Sequence, residues 1–252
     1  MTADDRDHSI LRGDGLVRHL NGRQPLAPPA KRRGRPKDEQ LVARRSDEIL
    51  DVAARLFAAR GYPKTDLQVV ADELGIGKGT IYRYFPTKRE LFLAAVDRGM
   101  RRLTEHIDAR RTAPDPLDQI EQAIRAYLSF FKAHPELVEL LIQERAEFKD
   151  RPTPTYFEYR EANAGKFIAL QRELVGAGRM RDIPFDTINN VLGDLLYGTM
   201  FTNYFTGRRR SLEEQADEIL EVVLVGLLTD AERTQRLGAA RGRAPTQPGN
   251  CA

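Results

Sequence analysis

The chain has 252 residues, with 40 Lys and Arg against 37 Asp and Glu, a formal net charge of +3. That length allows one large or two small domains around a sizeable core, and the mild basic balance excludes a histone-like protein. No apolar run approaches the ~18–20 residues of a bilayer span, while one cysteine (Cys251) and four scattered histidines (His8, His19, His106, His134) exclude a disulfide scaffold and argue against a metal centre or a cofactor held by one.

Taken in chain order, residues 1–40 read as a disordered basic tail. Gly and Pro clusters interrupt them, no hydrophobic period is sustained, and Lys31, Arg32, Arg33, Arg35 and Lys37 place five positive charges in seven residues. Acids near the start and the lack of an apolar stretch argue against a secretory signal, so the expected location is cytoplasmic. From about residue 41 the pattern is helical, and no period-2 strand or internal repeat is evident. Ile49, Ala53, Leu56 and Phe57 share one helical face, which Gly61 terminates. Thr65-Asp66-Leu67-Gln68 reads as a capping box for a helix through Leu74, and Gly75-Ile76-Gly77 breaks it. A short helix from Lys78 to Phe85 ends at Pro86, and Thr87-Lys88-Arg89-Glu90 is a second capping box.

Asp115-Pro116, His134-Pro135 and Thr153-Pro154 each put a capping residue before a Pro at the first helical position. Asp186 and Ser211-Leu212-Glu213-Glu214 open two further long helices. The expectation is about nine helices, with residues 231–252 a second disordered tail. The fold class is all-α.

The two short helices about Gly75-Ile76-Gly77 follow the helix-turn-helix pattern. Val69, Val70 and Leu74 can pack on Ile76, Ile81 and Phe85, leaving Lys78, Thr80, Arg83 and Tyr84 on the outer face. Those side chains suit phosphates and base edges, and the helix starts at Thr65 and Thr87 offer free amides to phosphate. A helical hairpin with a solvated basic face has the same spacing. Gly75-Ile76-Gly77-Lys78-Gly79-Thr80 is no phosphate loop, because the Lys-Ser/Thr adjacency and a preceding strand are missing.

Residues 44–95 closely resemble the DNA-binding domain of the tetracycline-repressor (TetR) family of transcriptional regulators. The resemblance is carried by Ile49, Ala53, Phe57, Gly61, Tyr62, Thr65, Val70, Ala71, Gly75, Lys78, Gly79, Thr80, Tyr82, Tyr84, Phe85, Lys88 and Leu91. Gly77 departs from it where the family usually has a side-chain N-cap, an acceptable replacement. Pro63-Lys64 departs from it in the loop before Thr65. The resemblance implies a homodimeric regulator, usually a repressor, that binds a double-stranded palindromic operator. It places Tyr84 and Lys88 on phosphate, and Gln68, Lys78, Gly79, Thr80 and Arg83 on bases or backbone. It also implies a helix-turn-helix domain over 41–95 and a helical ligand-binding and dimerisation domain over 96–230. Arg33-Gly34-Arg35-Pro36 resembles the core of AT-hook minor-groove binders, so Arg33 and Arg35 are candidate DNA contacts; a solvated tail without specific contacts is the other reading.

In the second half, two helices carry too much apolar surface for one face, which suggests burial against both the core and a second chain. Thirteen of the nineteen Phe and Tyr lie after residue 93. An aromatic-lined cavity for a small apolar or aromatic effector follows, with Tyr127, Phe131, Phe167, Tyr197 and Phe201 as its lining. Glu144 falls inside the apolar stripe of Leu137, Leu140, Leu141 and Phe148, as either a ligand contact or the partner of an Arg such as Arg125 or Arg172. No catalytic Ser/His/acid or Cys/His arrangement can be assembled, so no enzyme is expected. A helical dimeric interaction module without sequence-specific DNA binding is the alternative, and the basic outer face argues against it.

Overall fold

The computed structural model describes residues 39–207 and 210–241. Ten helices make up its regular structure: α1 (Glu39–Arg60), α2 (Leu67–Glu73), α3 (Lys78–Tyr84), α4 (Lys88–Arg110), α5 (Pro116–Ala133), α6 (Pro135–Glu147), α7 (Thr155–Gly176), α8 (Phe185–Thr206), α9 (Leu212–Leu227) and α10 (Asp230–Arg241). The one β-type pairing among the described residues is an isolated bridge between Met180 and Leu228. The expected tail over 1–40, including Arg33 and Arg35, lies outside the described residues except for the start of α1.

Local chemistry sets most helix ends. Gly61 adopts φ +81° and Gly75 φ +63°, the left-handed conformation that ends α1 and turns the chain between α2 and α3. Thr87 and Ser211 form complete capping boxes with Glu90 and Glu214. Asp115 accepts from the amides of Leu117 and Asp118 ahead of Pro116. Four starts depart from expectation, the first being α6, where His134 holds the N-cap position without a side-chain capping bond. Thr65 does not cap α2; Asp66 does, accepting from the Gln68 amide. Pro154 and Pro184, with extended φ and ψ, precede α7 and α8, so the caps expected at Thr153 and Asp186 are not formed.

The tail expected over 231–252 is corrected at its first part, because α10 continues the fold to Arg241. Arg179 explains why. Its guanidinium donates to both carboxylate oxygens of Glu232, at 3.0 and 2.8 Å, and to Asp115 at 2.7 Å. Arg236 adds a bond to Asp118 at 3.0 Å. These long-range charge-assisted bonds tie a polar helix to the ends of α5 and α7, and no hydrophobic period announces them.

The main hydrophobic core runs from Ile49 to Leu220, and a smaller cluster of Leu117, Leu174, Met180 and Leu228 shares Ile120 and Leu224 with it. The boundary expected between residues 95 and 96 falls inside α4, which packs Leu91, Phe92, Ala95 and Val96 beside the α1 core and carries Met100 and Leu103 onward. A ring cluster of Phe57, Tyr62, Phe92 and Phe148 joins α1, α4 and the end of α6, with centroids 4.9–5.8 Å apart. Gln143 donates to the Phe57 carbonyl at 2.9 Å across the same seam. Gly99 allows α4 and α6 to approach: a Cβ there would meet Leu137 Cδ1 at 2.5 Å.

Candidate functional site

The first site is the outer surface of α2, α3 and the start of α4. Val70, Ile81 and Phe85 are buried, with Val69, Leu74 and Ile76 packed against them, so the hairpin locks as its spacing predicts. Gln68, Gly79 and Arg83 are exposed, while Lys78, Thr80, Tyr84 and Lys88 are half-buried with their edges at the surface. Tyr82 is also exposed on α3 and was not among the expected contacts.

The free surface is internally wired. Lys78 Nζ donates to Asp66 Oδ1 at 2.7 Å, so the carboxylate that caps α2 also anchors the start of α3. The backbone bond from Gln68 and then Lys78 hold the Asp66 carboxyl below its ordinary value. Gln68 donates to Asp72 at 2.7 Å. Lys88 Nζ sits 4.6 Å from the Tyr62 ring centroid and donates to the Pro63 carbonyl at 3.2 Å; burial pushes its pKa down. Arg83 is exposed, with its guanidinium carbon 5.6 Å from the Tyr84 ring centroid.

Thr65 is a correction. It is 1% exposed, and its hydroxyl points inward, within bonding distance of the carbonyls of Gly61 (2.8 Å) and Leu56 (3.3 Å). Its amide donates to Tyr62. Neither group is available to a phosphate; Thr65 holds the α1–α2 corner.

The second site is a cavity of about 200 Å³ between α4, α5, α7 and α8. Met100, Leu103, Ile124, Ile188 and Leu192 make much of its apolar wall. Tyr127 and Phe167 line it as expected. Phe131 does not; it borders a separate space near Met200 and Tyr204. Tyr197 and Phe201 pack outside the cavity, Tyr197 tilted against Tyr156 and Phe157 and Phe201 edge-on to Tyr197, with centroids 4.7–5.3 Å apart. The reason is that aromatics on one helix point in several directions, and only tertiary packing selects which reach a common void.

Glu144 is corrected too. It is 1% exposed and lies off the cavity. Its Oε1 accepts from the amide (3.0 Å) and hydroxyl (2.7 Å) of Thr155 and lies 3.2 Å from Arg151 Nε. It fixes the start of α7 to α6, and its Arg partner is Arg151, not Arg125 or Arg172.

Sequence reading missed the polar side of the cavity. Tyr159, Arg160, Asn163, Lys166 and Gln171 all reach it from α7. From Arg160 on they recur three to five residues apart, with Tyr159 adjacent, a helical stripe that hydrophobic periodicity ignores because it is polar. Arg160 lies over α8 where Gly193 leaves room, since a Cβ there would stand 2.5 Å from Arg160 Cζ. Its guanidinium donates to Asp194 at 2.9 Å and to the Asn189 carbonyl at 2.8 Å. Gly193 thus admits the Arg160 side chain onto α8.

The profile of bacterial regulatory proteins of the tetR family matches residues 49–95. The transcriptional repressor KstR2 of Mycolicibacterium smegmatis is 26% identical over 199 residues, 76% of this chain and 95% of that protein. The regulator EthR of the same organism is 27% identical over 167 residues, 66% of this chain and 73% of that one. The solved structure of the ketosteroid transcriptional regulator KstR2 of Mycobacterium tuberculosis superposes with a TM-score of 0.55 at 20% identity, over 74% of this chain and 96% of that chain.

Proposed function

The chain belongs to the TetR family of bacterial transcriptional regulators, DNA-binding proteins rather than enzymes, and we propose that it is a homodimeric repressor released from its operator by a small, largely apolar effector. The observation that carries this reading is α4. Its first turns pack beside the helix-turn-helix core, and its Met100, Leu103, Thr104, Ile107 and Asp108 line the cavity. One rigid 23-residue helix therefore touches both sites. At 1.5 Å per residue it spans about 35 Å, so a small tilt at the cavity moves the DNA-binding end. A ligand changes DNA affinity only if it prefers one spacing of the two heads.

Three further observations support the reading. The outer face of α3 offers Arg83, Tyr82 and Thr80 to a major groove, with Gln68 beside it on α2. Helices α8 and α9 leave Val191, Leu195, Phe205, Val222 and Val225 exposed, an apolar face suited to a second copy of the chain. KstR2 of Mycolicibacterium smegmatis, aligned over 95% of its length, is named a repressor. A palindromic operator follows from two heads related by a two-fold axis. Such a protein works in the cytoplasm, and among the described residues no helix is long and apolar enough to cross a membrane.

The test is a gel shift on the DNA flanking the protein's own gene, with and without a library of apolar compounds. A specific complex that a compound dissolves supports the proposal. A folded dimer that binds all DNA equally, or none, overturns the operator reading. A complex that no compound weakens overturns the effector reading alone.

A further inference from the structure

We propose that the effector is a monoanion with a carboxylate at one end of an apolar body, and that Arg111 and Lys166 hold that carboxylate at the α4 end of the cavity. The proposal rests on the reading of the cavity as the effector site. Two lining side chains, Asp108 and Lys166, meet there, and Arg111 approaches them from just outside the lining. Asp108 lines the cavity from α4 and Lys166 from α7, with Lys166 Nζ donating to Asp108 Oδ2 at 2.6 Å. Arg111, the C-cap residue of α4, lies with its guanidinium 5.4 Å from the ring centroid of Phe167, another lining residue. Its Nη2 is 3.7 Å from Asp108 Oδ1, beyond hydrogen-bond range, and its Nη1 is buried with no hydrogen-bond partner among the described residues.

Two cations thus share one carboxylate, and a buried guanidinium N–H stands unsatisfied. The Asp108 carboxylate is part-exposed, and it is the buried Arg111 N–H that carries a free-energy cost an incoming anion removes. Arg160, the other cation on the cavity, is already matched by Asp194 and does not alter the sum. A monoanion brings the cluster to neutrality, whereas a dianionic phosphate would leave an excess negative charge partly buried. A carboxylate also fits the planar fork of a guanidinium and accepts from an ammonium at once. The rest of the wall, Met100, Leu103, Ile124 and Leu192 among others, takes the apolar body. Because Arg111 caps α4, the headgroup engages the far end of the helix that reaches the DNA-binding unit.

Calorimetric titration of the full chain with decanoate, decanol, decyl phosphate and decyltrimethylammonium tests this. Decanoate is expected to bind at least about tenfold tighter than decanol, about 1.4 kcal/mol, and tighter than the other two. Lys166→Met and Arg111→Met should each bring decanoate down toward decanol. Asp108→Asn, which removes the competing carboxylate, should tighten decanoate. Should Arg111→Met fail to fold by circular dichroism, Lys166→Met at its half-exposed position carries the comparison. Equal binding of decanoate and decanol overturns the headgroup assignment and leaves the effector cavity standing. Tightest binding of decyltrimethylammonium, weakened by Asp108→Asn, overturns it in favour of an acidic anchor. Tightest binding of decyl phosphate overturns the monoanion. Binding of none of the four overturns the cavity reading and this proposal with it.

Discussion

Arg83 and Thr65 sit eighteen residues apart in the same DNA-binding unit and do opposite jobs. Arg83 is exposed on α3 with its guanidinium near the Tyr84 ring, and under the proposed function it reads base edges. Arg83→Ala is expected to cost roughly 1–3 kcal/mol on operator DNA and much less on random DNA, read by competition binding at fixed salt. Equal loss on both would make Arg83 a phosphate contact. Lys88→Ala should by contrast weaken both about equally, if its ammonium, held by Tyr62 and Pro63 at the start of α4, meets the DNA backbone as the proposed function has it. Thr65 works from inside. Thr65→Val keeps the shape but leaves the carbonyls of Gly61 and Leu56 without the hydroxyl donor. A stability loss of about 1–3 kcal/mol in urea is expected, with the ratio of operator to random affinity unchanged in the folded fraction.

Helix α10 owes its place to charge rather than apolar burial. Arg179 first, and then Arg236 against opposing burial, hold the Glu232 carboxyl below its ordinary value. A carboxylate depressed in the folded state contributes stability above the usual glutamate range and loses it as pH falls through the lowered folded value. Wild-type protein should therefore lose part of its urea midpoint on acidification below the glutamate range. Arg179→Met, already weaker at neutral pH, should lose less over the same interval. Parallel pH profiles for the two proteins would show that the Arg179–Glu232 bond does not anchor α10. Helix α7 makes a related point. Glu144 and Arg151 set where it starts, and its polar stripe then faces an otherwise apolar void.

At the scale of the molecule, two neighbouring apolar helices carry both core and surface, and the structure assigns the residues. Val223 and Leu227 point inward, Leu227 onto the cavity. Val222 is 73% and Val225 53% exposed, on the other side of α9, with Val191 at 65% on α8. An obligate pair of such faces buries on the order of 2,000 Å² or more. Val222→Glu should give a folded chain whose solution mass is that of one protomer, with operator affinity lost because a palindrome needs two heads. A wild-type mass of one chain would sink the dimer outright, and a dimeric Val222→Glu would place the interface elsewhere.

The all-α class and the caps at Thr87, Asp115 and Ser211 were legible along the chain, and the helix-turn-helix and the family in residues 44–95, because they rest on short-range signals. A capping box, a Gly at positive φ and a 3.6-residue period each involve groups within a few positions of one another. The same locality explains why Tyr127 and Phe167 were placed in the cavity while Phe131, Tyr197 and Phe201 were not separated from them. A helix fixes the angle between its own side chains but not which neighbour each one meets. The Glu144–Thr155, Arg179–Glu232 and Lys166–Asp108 pairs join residues 11, 53 and 58 positions apart. Charged side chains of either sign are common on helices, so no local pattern marks which will pair. Packing decides that, because only in the folded molecule are a guanidinium and a carboxylate forced out of water together, where each needs the other.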